Sequence, residues 1–129
     1  PLELVFMLAP TSTEERISLV NKFGGGFIYY VAQMGVTGAR ESLDKDLNVS
    51  LEKINEEKKM PVLVGFGIKT PEQAAEVSQY AEGIIVGSAL IDVIEQNSQR
   101  EDKLEAAAKY IASLKEAMEN SSSEENKRG

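Results

Sequence analysis

Four short apolar runs alternate with longer segments of helical periodicity along this chain, and the alternation leaves few folds open to it. Each run is rich in Val, Ile, Phe or Tyr, and none alternates cleanly between apolar and polar residues. The runs are Leu4 to Leu8, Phe27 to Val31, Pro61 to Gly65 and Ile84 to Val86. Continuous apolar runs of this length predict strands that are buried on both faces, as in a parallel sheet.

The first two segments between the runs have the spacing and end signals of helices. Ser12 and Glu15 can form a capping box, and the apolar stripe that follows them stops at Gly24. The second segment has apolar residues at i, i+4 and i+7, behind two aspartates that can cap a helix. These residues are Leu47, Leu51 and Ile54, after Asp44 and Asp46.

The remaining helices are predicted in the second half of the chain. Thr70 can cap the third helix, Pro71 fits its first position and Gln73 can complete a capping box. A short apolar helix is predicted from Ser88 to Ile94, and a last helix from a stripe of six apolar residues. The stripe consists of Leu104, Ala107, Ala108, Ile111, Leu114 and Met118. The polar residues 120–129 have no apolar anchor, so we expect disorder there.

The resulting order is β-α-β-α-β-α-β-α, with a short extra helix before the last one. Strict alternation predicts right-handed crossovers and a parallel sheet. Four such units are about half of a (βα)8 TIM barrel of roughly 250 residues, although a small open sheet would show the same pattern. We therefore expect one α/β unit over residues 1–119, with ligand-binding loops, and a disordered tail over residues 120–129.

Composition excludes several kinds of chemistry. The chain contains neither Cys nor His, which removes disulfides, Cys/His zinc sites and imidazole-based triads. A net charge of −7 opposes a nucleic acid backbone, so we expect no nucleic acid partner. No apolar run approaches the roughly 18 residues that span a bilayer, and we expect a soluble, cytoplasmic protein without a membrane partner. The start at Pro1, without an initiator Met, suggests a chain cut from a longer protein.

Three glycine-bearing segments each follow a predicted strand, where ligand-binding loops lie in parallel α/β folds. They are Gly35 to Gly38, Gly65 to Ile68, and Gly87 with Ser88. Any one of them is more simply explained as a tight turn. The last two, however, follow the last two strands, and Ser88 opens a short helix whose free N–H groups and dipole can bind an anion. Together they favour a phosphate site built from main-chain amides.

Five segments resemble, in order, the signatures of the tryptophan synthase alpha chain family from its fifth barrel strand onward. They are LVFMLAPT from Leu4, GFIYYV from Gly26, GVTG from Gly35, PVLVGFGI from Pro61 and GIIVGSA from Gly83. The resemblance covers nearly the whole chain up to the polar tail. It implies the C-terminal half of a (βα)8 barrel.

The resemblance also implies a function and a site. Members of the family are lyases that split indole-3-glycerol phosphate into indole and glyceraldehyde 3-phosphate, and we expect no cofactor or metal. They pass the indole to a beta chain, in a heterotetramer of two alpha and two beta chains. Family positions that hold the phosphate match Gly38, Phe66, Gly67, Gly87 and Ser88. Positions around the indole ring match Tyr29, Thr37, Phe66 and Ile85. Without the resemblance, Tyr29 and Ile85 would be assigned to ordinary barrel core, and Tyr30, which alternates with Tyr29, should face the helices.

The sequence departs from the family pattern in two respects. Ala32 and Gln33 occupy positions where relatives have a Ser and often an Arg. The adjoining residues 33–44 resemble the family's mobile lid, although on the sequence alone they are a polar loop. The family's two catalytic carboxylates belong to the N-terminal half, and nothing here matches them. We therefore expect no catalytic residue in this chain, no activity of the chain alone, and a missing N-terminal half as partner.

Two alternatives stay open. Other sugar-phosphate barrels share the same kind of glycine loops, and a non-enzymatic half-barrel module could pair with itself. A half barrel leaves its first and last strands with unpaired edges and an uncovered apolar face. We therefore expect the isolated chain to self-associate or to remain partly molten.

Overall fold

The computed structural model describes residues 1–32, 34–37, 40–43, 46–65 and 67–128, with side chains for 1–32, 46–65 and 67–123. The strands in this part of the chain are β1 (Phe6–Leu8), β2 (Ile28–Val31), β3 (Met34–Thr37), β4 (Arg40–Leu43), β5 (Val62–Gly65) and β6 (Gly83–Ile85). The helices are α1 (Glu14–Phe23), α2 (Leu47–Glu57), α3 (Pro71–Ser78), α4 (Ser88–Gln96) and α5 (Lys103–Arg128).

One parallel sheet contains β1, β2, β5 and β6, in that order. A helix lies between each consecutive pair of these strands along the chain, so the connections are crossovers that place helices against the sheet. The short α4 precedes the last helix, α5. The predicted fold class, four parallel βα units with one extra helix, is therefore confirmed.

The core lies between the sheet and its helices. Alternate strand residues face the helices and are buried, and these are Leu8, Ile28, Tyr30, Val62 and Val64. From the helices, α1 contributes Ile17 and Val20, and α2 contributes Leu47, Leu51 and Ile54. Since strand side chains alternate between faces, the burial of Tyr30 among the core residues places Tyr29 on the opposite face of the sheet.

The structure confirms the predicted N-terminal cap of α3 and corrects that of α1. At α3, Thr70 Oγ1 accepts from Gln73 N at 3.2 Å and Gln73 Oε1 accepts from Thr70 N at 3.2 Å, which is the predicted capping box. At α1, the cap is Thr13, whose Oγ1 accepts from the amide of Arg16. The predicted box of Ser12 and Glu15 is wrong because Ser12 Oγ closes the preceding turn, accepting from Ala9 N at 2.9 Å.

A hairpin lies between β2 and α2, where the sequence predicts a polar loop. β3 pairs antiparallel with β4, from Met34 opposite Leu43 to Thr37 opposite Arg40. Residues 34–37 and 40–43 of the expected lid thus have regular structure. Gln33 and Asp44, singled out from the sequence, lie outside the described residues. Asp46 directly precedes α2 but makes no side-chain capping bond to it.

The last helix, α5, extends further than the sequence predicts. It runs through Arg128, so residues 120–128 are helical in the structure where we expect disorder, and Ser121 Oγ donates to Ala75 O at 3.2 Å. Leu114 of its apolar stripe is buried, whereas Ile111 and Leu104 are 42% and 78% exposed. Although α5 is 26 residues long, neither it nor any other described helix is apolar enough to cross a bilayer.

The edge of the sheet formed by β1 is apolar and open to solvent. Phe23 and Leu19 of α1 are 58% and 49% exposed, and together with Phe6 of β1 they line a cavity of about 440 Å³. β1 has a strand neighbour on one side only among the described strands. An outer strand with an apolar flank is a surface that further strands and helices can cover.

Candidate functional site

The two glycine loops that follow β5 and β6 leave the sheet at the same edge. β5 and β6 are parallel neighbours, and their register pairs Gly65 with Ile85. Gly67 and Gly87 each lie two residues beyond that pair. The carboxyl ends of adjacent parallel strands therefore bring the two loops together, which is the placement that a shared anion site requires.

The two glycines differ in what their backbone geometry shows. Gly67 has a φ of +78°, in the left-handed region that residues with a side chain rarely adopt. A Cβ atom built at Gly87 would meet no atom within 4 Å, so the space beside this residue is open. A ligand can approach the main chain at Gly87 closely.

Helix α4 begins at this open space and has no side-chain cap. Ile91 N donates to Gly87 O at 3.1 Å, which leaves the preceding amides of Ser88, Ala89 and Leu90 without acceptors inside the helix. Gly87 and Ser88 are exposed. N–H groups without an acceptor in the helix, together with the positive end of the helix dipole, make this position favourable for an anion.

The other predicted phosphate residues cannot be placed in the same way. Gly38 and Phe66 lie outside the described residues. Thr37, predicted beside the indole ring, is the last residue of β3, and only its backbone, paired with Arg40, is described.

Tyr29 and Ile85 lie on the same face of the sheet, opposite the helices. Tyr29 pairs with Leu63, and Ile85 pairs with Gly65, which is two residues further along β5. A Cβ atom at Gly65 would lie 2.6 Å from the Tyr29 hydroxyl oxygen, so the Tyr29 ring extends across this glycine. The absence of a side chain at Gly65 therefore creates the space that the aromatic ring occupies.

A half-exposed carboxylate lies at the amino ends of β5 and β6, opposite the glycine loops. Glu82 precedes β6, its Oε2 accepts from Val62 N at 2.7 Å, and its Oε1 pairs with Lys58. Burial raises the pKa of Glu82, but the hydrogen bonds from Lys58 and Val62 outweigh burial and hold the pKa below its usual value. Glu82 is thus an ionised structural group, remote from the glycine loops. Among the described residues, no three carboxylates are grouped so that they could hold a metal ion.

The fold and the loops together define a class of protein. Four parallel βα units, with open glycine loops at the strand ends and a short helix before the last one, are half of a (βα)8 barrel. The family model of the tryptophan synthase alpha chain matches residues 1–122, and this chain belongs to that family. The resemblance seen in the sequence is confirmed.

Curated relatives give the same family and show how much of it the chain covers. The tryptophan synthase alpha chain of Pelobacter propionicus is 43% identical over 117 residues, which are 91% of this chain and 43% of that protein. The alpha chain of Geobacter sp. strain M21 is 44% identical over 117 residues, with the same two coverages. The chain therefore spans less than half the length of these relatives.

Solved structures agree with the sequence relatives. The crystal structure of tryptophan synthase subunit alpha from Legionella pneumophila strain Paris has a TM-score of 0.74 and 34% identity, over 92% of this chain and 43% of that chain. A crystal structure of tryptophan synthase from M. tuberculosis has a TM-score of 0.71 and 27% identity, over 91% of this chain and 41% of that chain. Four of the strands of a TIM barrel are thus present here in their family arrangement.

Proposed function

We propose that this chain is the phosphate-binding half of an enzyme of tryptophan biosynthesis that cleaves indole-3-glycerol phosphate into indole and glyceraldehyde 3-phosphate. The observation that carries the proposal is the uncapped start of α4 at Gly87, beside open space and next to the turn at Gly67. Family membership suggests the substrate, and the geometry gives the physical reason why its phosphate would bind here.

The phosphate would bind through main-chain amides. A phosphate ester carries nearly two negative charges at neutral pH, and the amides at the start of α4, from Ser88 onward, lack acceptors within the helix. Charge-assisted hydrogen bonds of this kind contribute roughly 1.5–3 kcal/mol each. Such a site needs no basic side chain, which suits a chain whose net charge is −7.

The indole ring would lie on the face of the sheet opposite Tyr30 and the core. Tyr29 and Ile85 share that face, and the family pattern adds Thr37 and Phe66. Gly38, Phe66, Gly67, Gly87 and Ser88 would surround the phosphate end of the substrate. A pocket with an apolar wall and a few polar groups at one end is the usual form of a small-molecule site.

Cleavage itself would need groups that this chain lacks. Proton transfer to the leaving indole requires a carboxyl group within hydrogen-bond reach of the ring. The family's two catalytic carboxylates have no counterpart in this sequence, and Glu82 lies at the other end of the sheet. We propose that an N-terminal half barrel covers the two open edges and supplies both carboxylates, that the chain alone is inactive, and that a beta chain receives the indole.

Two measurements on the chain test the proposal. Calorimetry should detect binding of glycerol 3-phosphate, the phosphate-bearing part of the substrate, with no turnover of indole-3-glycerol phosphate. Co-refolding with the unmatched N-terminal part of the Pelobacter propionicus relative should restore release of indole. A mixed barrel that forms but has no activity would contradict the catalytic assignment, and absence of glycerol 3-phosphate binding in both states would contradict the site.

Sedimentation tests the proposal that an N-terminal half covers the open edges of the sheet. With Phe23, Leu19 and Ile111 exposed at the outer edges of the sheet, the isolated chain should self-associate. Sedimentation should show oligomers that dissociate into a one-to-one complex when the N-terminal half is added. A compact monomer that does not associate with the N-terminal half when it is added would contradict barrel completion.

A further inference from the structure

The turn that carries Gly67 is held from within its own βα unit by one side chain. Gln73 Oε1 accepts from Lys69 N at 2.8 Å and from Thr70 N at 3.2 Å. Ile68, between the turn and these bonds, is buried with 3% exposure. The amide side of the Lys69 peptide is thus fixed by the helix that follows the loop.

The carbonyl of the same residue is fixed from elsewhere in the chain. Tyr110 of α5 donates its hydroxyl to Lys69 O at 2.6 Å, across 41 positions of sequence. Lys69 is therefore bonded on both its N–H and its C=O, by α3 and by α5 respectively. Gly67 lies two residues before this doubly bonded position.

The surroundings of Tyr110 keep its hydroxyl protonated and connect it to the second loop. Burial raises the pKa of the Tyr110 phenol, and the carboxylate of Asp92 raises it further, while Lys69 lowers it in part. Asp92 lies on α4, one turn after Ser88. The helices that carry Asp92 and Tyr110, α4 and α5, pack against each other.

We propose that Tyr110 is a positioning residue of the anion site, whose hydroxyl fixes the Lys69 carbonyl and so holds the Gly67 turn in its ligand-binding conformation. The inference rests on the proposed phosphate function of that turn. Binding is stronger when the protein does not have to order a loop at the moment of association. No motif in the sequence identifies Tyr110, because its partner is a main-chain carbonyl on a distant segment.

The test compares Tyr110→Phe with a matched control, Ser113→Ala. Ser113 Oγ donates to Tyr110 O at 2.6 Å, so the control removes a hydroxyl from the same stretch of α5 without touching the loop. Calorimetry with glycerol 3-phosphate measures affinity, urea unfolding measures stability, and the ¹⁵N heteronuclear NOE measures the order of the Gly67 and Ile68 amides. All three are applied to the full chain.

We expect Tyr110→Phe to weaken glycerol 3-phosphate binding roughly 2- to 10-fold, the equivalent of one lost hydrogen bond. The NOE of Gly67 and Ile68 should fall in Tyr110→Phe, whereas Ser113→Ala should bind and relax like the unchanged chain. Equal losses in both variants would assign Tyr110 a structural role only and overturn the proposal. Unchanged affinity in Tyr110→Phe would overturn it as well.

The proposed function can fail separately. If the unchanged chain binds no glycerol 3-phosphate, either alone or with the N-terminal half, the phosphate site is contradicted, and the NOE values alone decide whether Tyr110 positions the turn. If the unchanged chain binds and Tyr110→Phe neither loses affinity nor loosens Gly67, only the positioning inference is wrong.

Discussion

The two ends of β5 and β6 are built in opposite ways. At the amino ends, Val62 N donates to Glu82 Oε2, Glu82 pairs with Lys58, and Glu82 N donates back to Val62 O at 3.1 Å. At the carboxyl ends, Gly67 turns with a positive φ, and α4 starts at Gly87 without a cap. The same two strands therefore begin with their backbone groups paired and end with amides available to a ligand.

This difference separates stability from function within one pair of strands. In (βα)8 barrels, ligands bind at the carboxyl ends of the strands, while the amino ends serve stability. Side-chain charges secure the amino ends here, and the carboxyl ends use glycines and a helix dipole. Substitutions at the carboxyl ends should therefore change anion affinity and leave the free energy of unfolding unchanged. Substitutions at the amino ends should change the free energy of unfolding and leave anion affinity unchanged.

The largest expected effect follows from Gly87→Val. The new side chain would project into the space proposed for the anion, and the loss of two charge-assisted amide contacts, roughly 1.5–3 kcal/mol each, should weaken glycerol 3-phosphate binding by at least about a hundredfold. Stability should change little, because a Cβ atom at Gly87 meets nothing within 4 Å. Calorimetry and urea unfolding measure the two quantities.

Gly83→Ala is the control for that substitution, at the other end of β6. Its Cβ atom would lie 2.5 Å from Leu63 Cδ2, the end of a flexible side chain, so a modest loss of stability with unchanged anion binding is expected. Equal glycerol 3-phosphate affinities of the unchanged chain and Gly87→Val would contradict the assignment of anion binding to the carboxyl ends of β5 and β6.

Glu82→Ala should produce the opposite pattern. It removes the acceptor of Val62 N and the partner of Lys58, and should lower the free energy of unfolding by about 1–2 kcal/mol, limited by the 46% exposure of the Glu82 side chain. Glycerol 3-phosphate affinity should stay unchanged. The exposed Glu116 offers a control, because Glu116→Ala removes the same charge from α5 and should be nearly neutral.

Glu82 should also make a smaller contribution that depends on pH. Its folded pKa lies below the ordinary value of 4.5, so its ion pair stabilises the fold above that pH and is lost as the pH falls through the lowered folded value. Glu82→Gln cannot titrate. Urea unfolding between roughly pH 6 and pH 3 should therefore show a shallower decline in Glu82→Gln than in the unchanged chain, and parallel declines would contradict the assignment.

The smallest effect is expected from removing residues 120–129. Within this segment, Ser121 Oγ donates to Ala75 O at 3.2 Å. We expect less than about 0.5 kcal/mol of change in the free energy of unfolding, and no change in anion affinity. A decrease of about 1 kcal/mol or more in the free energy of unfolding would show that the end of α5 packs more firmly than its polar sequence indicates.

The sequence predicts the fold better than the details of its loops. The strands and the start of α3 follow from local signals, because buried parallel strands and the Thr70 to Gln73 box depend on neighbouring residues. The cap at Thr13 was missed because Ser12 and Thr13 are equally good candidates and only the turn at Ala9 distinguishes them. The sequence does not predict the β3–β4 hairpin, because β4, Arg40–Leu43, contains a single apolar residue and has no strand pattern of its own.

The site shows the same division between local and distant information. Gly67, Gly87 and Ser88 can be predicted from glycines that follow strands, whereas Tyr29 is assigned to the indole pocket only through the family resemblance. Tyr110 cannot be found in this way, since its hydrogen bond to Lys69 joins segments that only the fold brings together. The apolar cavity beside Phe6 is likewise a property of the sheet edge and not of any motif.

Amide chemical shifts recorded during a titration with glycerol 3-phosphate distinguish the two ends of β5 and β6. If the anion binds at the glycine loops, the amides of Gly67, Ile68, Ser88 and Ala89, at the carboxyl ends, should shift together with a single dissociation constant. Val62 and Glu82, at the amino ends of the same strands, should not move. Shifts confined to the amino ends, or no shifts among the four loop amides, would contradict binding at the glycine loops.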